Sequence, residues 1–284
     1  TKNGNEKFYP ASITKIMTLL LILEAIDGGK LQYDDSVSVS QHAASMGGSQ
    51  VYLEPNETQT VNDMLKCISI ASANDASVAM AEHIAGSEEQ FVAMMNQKAA
   101  QLGMNNTCFV NCYGLDTDGH YTTALDVAKM SRELITKHSD IFRYSTVWMD
   151  SITHVTKKGS SEFGLSNTNK LLKSYSGITG LKTGSTGLAK YCLSATARRD
   201  NMDMIAVVMA APDTKTRFQE AASLLNYGFA NCTLYQHAAK EVPVPDIPLT
   251  GGVLEKVQVR AKDNFSLVCM HGEDISQITY EIKT

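Results

Sequence analysis

The sequence predicts an α+β fold, an antiparallel sheet flanked by helices with a helical lobe beside it and a small β module after it. Three observations carry this. Helical spacing dominates the first two-thirds of the chain. From residue 189 the pattern turns to strands. After a proline-rich segment at 241–250 the hydrophobic period falls to two.

The elements follow in order. Residues 11–26 are apolar nearly all round and stop at Gly28-Gly29, which reads as a buried central helix with a glycine stop. Helical spacing recurs at 61–70, 75–84, 88–102 and 122–138, with Asp75 and Thr122 as expected N-caps. Residues 190–197 and 204–211 are apolar runs separated by a polar patch that includes Arg198-Arg199-Asp200-Asn201. They read as a hairpin in a buried antiparallel sheet. An amphipathic helix at 215–227 ends before Gly228. Pro243, Pro245 and Pro248, three of the six prolines, fall in EVPVPDIPLT, an extended linker. Beyond it 256–262 and 278–282 alternate, and 265–270 is mostly apolar. The expected domains are 1–240 and a small β domain at 241–284. The second is little for an independent core and reads as incomplete.

Composition narrows the function. The chain has 284 residues, 43% hydrophobic and 19% charged, which excludes disorder, collagen and coiled coil. Net charge is −5 with no Lys/Arg run, so no nucleic-acid partner is expected. The longest apolar stretch, broken by Glu24, is shorter than the roughly 20 residues a membrane span needs. The polar opening TKNGNEKFYP is no signal peptide and reads as a mature or truncated start. Six cysteines are scattered. Cys108 and Cys112 form half a zinc pattern whose second half is missing, and no HExxH occurs, so neither metal nor cofactor is expected.

Three short motifs carry chemistry. Ser12-Ile13-Thr14-Lys15 opens the buried helix, Ser72-Ala73-Asn74 precedes another helix, and Lys182-Thr183-Gly184 leads into a strand. Positions i and i+3 share a helical face, so Ser12 and Lys15 can touch. A serine hydroxyl becomes a nucleophile when a base takes its proton. A lysine is such a base once burial and a nearby positive charge, here Lys182, lower its pKa. The amides at the helix start favour negative charge near Ser12. Each motif alone is common. Their order and placement together are specific.

PASITKIMT, SANDA, HYTTALD and GLKTGST resemble the serine D-alanyl-D-alanine carboxypeptidases, low-molecular-mass penicillin-binding proteins that trim peptidoglycan stem peptides. The resemblance runs along most of residues 3–230. It implies a penicillin-binding-protein/β-lactamase-like transpeptidase fold. It also implies Ser12 as acylated nucleophile, Lys15 as base, Ser72 as proton relay and Asn74 as holder of Lys15 and the substrate amide. Lys182 would supply positive potential. Thr183, Gly184, Ser185 and Thr186 would line the substrate strand, Thr186 gripping the terminal carboxylate. The N–H groups of Ser12 and Ser185 would form the oxyanion hole, and Arg217 would neutralise the substrate carboxylate. The middle motif carries Ala73 where the family more often has Gly. About two strands usual upstream of the first motif are reduced to a remnant, and no trailing anchor helix is visible.

The implied partners are a stem peptide ending in D-Ala-D-Ala and β-lactam antibiotics. The implied location is extracytoplasmic, with peripheral membrane association through a missing C-terminal segment. Two other readings stay open. A class A-like β-lactamase needs a deacylating Glu before Lys-Thr-Gly, and Glu162 stands one residue too far from Asn167. A catalytically inactive penicillin-sensing or wall-binding protein would not need the Ser12–Lys15 pair. His120 reads as structural, Met94-Met95 as core, and Arg217 has a plain solvated-helix alternative.

Overall fold

The computed structural model describes residues 1–238, 244, 246–260, 262–274 and 276. Helix α1 (Lys15–Asp27) grows from a 3-10 turn at Ala11–Thr14. Its side chains from Lys15 to Leu23 are all buried, which an all-apolar surface requires. Strands β1 (Ser36–Ser38) and β2 (Thr58–Thr60) pair antiparallel, with the short helix α2 (Gln41–Ala44) between them in sequence. Then come α3 (Val61–Ser69), α4 (Asn74–Ala85) and α5 (Glu88–Gln101). Gly86, at φ +84, turns α4 into α5. Helices α6 (Ala124–Lys137) and α7 (Phe142–Ser145) complete the lobe. Helices α3, α4, α5 and α6 all pack on α1, so α1 is the centre of the core.

Strands β3 (Met149–Thr156) and β4 (Gly159–Ser166) form an antiparallel hairpin. Strands β5 (Ile178–Thr186), β6 (Lys190–Arg199) and β7 (Met202–Ala211) form a sheet in that order. The hairpin expected at 190–197 and 204–211 is therefore β6–β7. Helix α8 (Thr214–Asn231) runs four residues beyond the expected end at 227.

The chain divides into two compact units. One is Thr1–Ala197 with Met204–Leu225, and the other is Arg198–Asp203 with Asn226–Thr284. In the second, β8 (Cys232–His237) pairs antiparallel with β11 (Phe265–Met270), and β9 (Ile247–Pro248) with β10 (Lys256–Val257). This unit starts well before the proline segment because β8 follows α8 directly and finds its partner in β11. Of the strand expected at 256–262, Lys256–Val257 is what is paired among the described residues. Residues 278–282 and four of the proline-segment positions (241–243 and 245) lie outside the described residues.

Both expected N-caps move. Thr122 is still extended, bridged to Phe8, and its hydroxyl meets Thr107 Oγ1. Thr123 caps α6 instead, accepting the Asp126 N–H at 3.2 Å. Helix α4 begins at Asn74, after Ala73, which makes no side-chain cap. Asp75 lies inside the first turn and is fully buried. Met95 is core, whereas Met94 is 37% exposed. Thr123→Ala should therefore cost about 1 kcal/mol in urea unfolding. A loss confined to Thr122→Ala would contradict this assignment.

Candidate active site

The first motif sits on a bend. Ala11 has φ +49, a left-handed value for a residue with a side chain, and the 3-10 turn that follows presents Ser12 half-buried. Lys15, one turn on, is completely buried. Its Nζ lies 3.2 Å from Ser12 Oγ, 2.6 Å from Asn74 Oδ1 and 2.7 Å from the Tyr113 carbonyl. Burial pushes the Lys15 amine well below an ordinary lysine, and the charge of Lys182 pushes it the same way. Asn74 and the Tyr113 carbonyl accept two N–H groups, and a neutral amine then keeps its lone pair for the Ser12 hydroxyl.

The second motif links α3 to α4. Ser72 is 4% exposed and left-handed, at φ +63. Strained backbone of this kind concentrates at functional sites. Asn74, the first residue of α4, donates from Nδ2 to the Gly47 carbonyl at 2.7 Å, which turns Oδ1 toward Lys15.

The third motif lies in the middle of β5, not at a strand start. Gly177 and Gly180 precede it and obscure the strand pattern in the sequence. Strand β5 packs on the Ser12 turn. A Cβ on Gly184 would stand 2.8 Å from the Ser12 nitrogen, so only glycine allows this approach. Lys182 is buried and donates to the Thr183 carbonyl at 3.1 Å. Burial, then the Arg217 charge, lowers its pKa to about 7. Thr183 pairs with Thr168 through their hydroxyls. Ser185 is exposed on the strand edge. Thr186 donates to Asp116 Oδ1 at 2.6 Å and accepts the Ala189 N–H at 3.0 Å.

Arg217, on α8, is 6% exposed, so the solvated-helix reading fails. Its Nη1 donates to the carbonyls of Gly184 at 3.1 Å and Cys192 at 3.3 Å. Its Nε is buried with no hydrogen-bond partner, a donor left over for an anion.

His120 is structural. Its Nδ1 accepts the Val110 N–H at 2.8 Å, which puts the ring proton on Nε2 for Thr14 Oγ1, also at 2.8 Å. Burial lowers its pKa to about 4, so it stays neutral at pH 7. All six cysteines are free thiols. Among the described residues no group of three His, Cys, Asp or Glu is placed to hold a metal ion.

Sequence reasoning missed the 111–117 loop. Asn111 Oδ1 accepts the Gly114 N–H, and the loop places the Tyr113 carbonyl on Lys15. Gly114, at φ +96, crosses the Ser12 turn so closely that a Cβ would stand 1.9 Å from the Ala11 oxygen. A backbone carbonyl leaves no mark in a sequence. Only the glycine in NCYGLD hints at a close approach.

A serine next to a buried lysine of lowered pKa, with Lys182 on β5 and Arg217 reaching that strand from α8, defines a serine hydrolase of the Ser-Lys type. The profile of the D-alanyl-D-alanine carboxypeptidase family matches residues 1–213. The chain is 46% identical over 282 residues to D-alanyl-D-alanine carboxypeptidase DacF of Bacillus subtilis, covering 99% of this chain and 72% of that protein. It is 37% identical to DacC of Escherichia coli, covering 80% of this chain and just 56% of that one. Penicillin binding protein 5 from Haemophilus influenzae superposes with a TM-score of 0.79 at 30% identity, over 95% of this chain and 78% of that one. The chain belongs to the D-alanyl-D-alanine carboxypeptidase family, with its penicillin-binding-protein fold, and is a hydrolase of that class.

Gly114→Ala should cost about 3 kcal/mol and slow acylation of Ser12, because both the chain and the Ser12 turn must shift. A wild-type melting temperature and acylation rate would show that the crossing is not needed.

Proposed function

We propose that Ser12 removes the terminal D-alanine of peptidoglycan stem peptides through an acyl-enzyme. The observation that supports it best is the Lys15 amine, buried, 3.2 Å from Ser12 Oγ and held by two acceptors. The peptide lies along β5. Ser12 Oγ attacks the penultimate carbonyl while Lys15 Nζ takes the hydroxyl proton. The N–H groups of Ser12 and Ser185 receive the oxyanion. The peptide C–N bond breaks, and Ser72 passes the proton from Lys15 to the departing amine. Water then attacks the ester, with Lys15 again as base, and frees Ser12.

The remaining residues hold the substrate. Asn74 fixes Lys15 and the acyl-side amide. Lys182, Thr183, Thr186 and Arg217 receive the free carboxylate, which explains a carboxypeptidase rather than an endopeptidase. Thr186 then has to share or exchange its Asp116 bond. A β-lactam enters the same way, its ring amide opening on Ser12. In the β-lactamase reading Glu162 would activate water, but it is exposed on β4 and bonded to Ser151. We place the small β domain from β8 onward rather than from the expected 241, since β8 pairs with β11, and the enzyme outside the cytoplasm, with peripheral membrane association as part of the proposal. No helix among the described residues is long and apolar enough to cross a membrane.

Ser12→Ala should abolish covalent labelling by benzylpenicillin while the melting temperature holds. Full labelling of that variant would sink the assignment. The pH profile gives a second check. Lys182, with its pKa near about 7, should lose its charge above that pH and give kcat/KM an alkaline limb there. A bound carboxylate favours the charged form, so the limb in kcat should lie higher. Lys182→Arg should move the kcat/KM limb upward, and an unmoved limb would assign it to another group.

A further inference from the structure

Asp75 has no part in the chemistry above, yet it is fully buried beside Asn74. Its carboxylate accepts the N–H groups of Val51 at 3.1 Å, Leu53 at 3.1 Å and Ala76 at 3.0 Å. Asn74 takes the preceding stretch of the same segment. Its backbone N–H donates to the Ser49 carbonyl, and its Nδ2 donates to Gly47, both at 2.7 Å. Residues 47, 49, 51 and 53 thus each give one backbone group to the first two residues of α4. The contacts fall on every second residue of a segment that is no regular strand, since Gly48 and Tyr52 are left-handed.

The segment decides which way the Asn74 amide faces. An amide offers an acceptor at one end and two donors at the other, and its partners choose between them. The Gly47 carbonyl takes the donor end, so the acceptor faces Lys15 Nζ. Gly48, at φ +77, lies so close that a Cβ would stand 2.8 Å from Asn74 Nδ2. A helix cap needs one acceptor bond. Asp75 makes bonds to two separate pieces of chain, which is the pattern of a tie. A buried carboxylate is tolerated only when satisfied in this way.

We infer that Asp75 is a positioning residue for acylation, acting through segment 47–53 on the Asn74 amide and through it on Lys15. The inference rests on the Ser12–Lys15 reading above. Charge adds a second effect. Lys15 feels Lys182 from β5, Cys112 from the 111–117 loop and Asp75 from α4. Lys182 favours the neutral amine and the Asp75 carboxylate favours the ammonium, whereas burial raises the Cys112 thiol well above its ordinary value, so it carries no charge.

The test is acylation by benzylpenicillin over about pH 5 to 10 in the wild type, Asp75→Asn, Asn74→Ala and the double variant. Asp75→Asn should lower the plateau rate tenfold or more. It should also move the acid limb to lower pH, because the lost anion no longer favours protonated Lys15. In the Asn74→Ala background the same change should cost less than about twofold. Gly48→Ala crowds the amide without changing a charge, so its plateau should fall with the acid limb unmoved. Additive losses in the double variant, a wild-type plateau in Asp75→Asn, or a wild-type plateau in Gly48→Ala would each overturn the inference. A wild-type enzyme that takes up no penicillin would overturn the Ser12 reading instead.

Discussion

The molecule is organised around the burial of one amine. Lys15 Nζ sits where the Ser12 turn, the start of α4 and the 111–117 loop meet, and each supplies it one partner. Water is excluded because α1 is apolar on every side and surrounded by helices. An ammonium ion in that position is costly, and a neutral amine with two accepted hydrogens is not. The helical lobe therefore does more than carry the site. Its packing pushes the amine toward the neutral form that the proposed reaction uses.

Glycine governs how the pieces come together. Gly184 lets β5 lie on the Ser12 nitrogen, Gly114 lets a loop cross the Ala11 carbonyl, and Gly48 lets a segment rest on Asn74. In each case a glycine backbone meets one of the sequence motifs or the turn that carries it with no side chain between. Much of the site is thus built from main-chain groups held at van der Waals contact.

The sequence disclosed the parts whose signal is local. The all-apolar run after Ser12, the three short motifs, the helical spacings and Arg217 can each be read from a few neighbouring residues. The β3–β4 hairpin could not, because it is polar on much of both faces and is anchored from afar. Gln59 Nε2 donates to the Thr153 carbonyl, and His154 pairs with Glu57. The start of the second unit was hidden for the same reason, since β8 pairs with a strand far along the chain. Thr122 and Thr123 are equally good caps in a sequence. Only the bridge from Thr122 to Phe8 separates them. The Tyr113 carbonyl and the 47–53 segment act through backbone atoms that every residue shares, so no residue type announces them.

The buried cations also reach beyond the reaction. Lys182 has a pKa of about 7 in the folded chain, while an unfolded lysine holds its proton to about pH 10.4. Between those values folding expels a proton into the solvent, and Lys15 contributes in the same direction. The linkage sign follows: the unfolded chain binds more protons, so stability rises with pH across this window, and the penalty stands in full below its lower edge. Folding of this chain is therefore itself an acid-sensitive equilibrium. The medium in which the protein folds takes part in assembling the buried amine on which the proposed reaction rests.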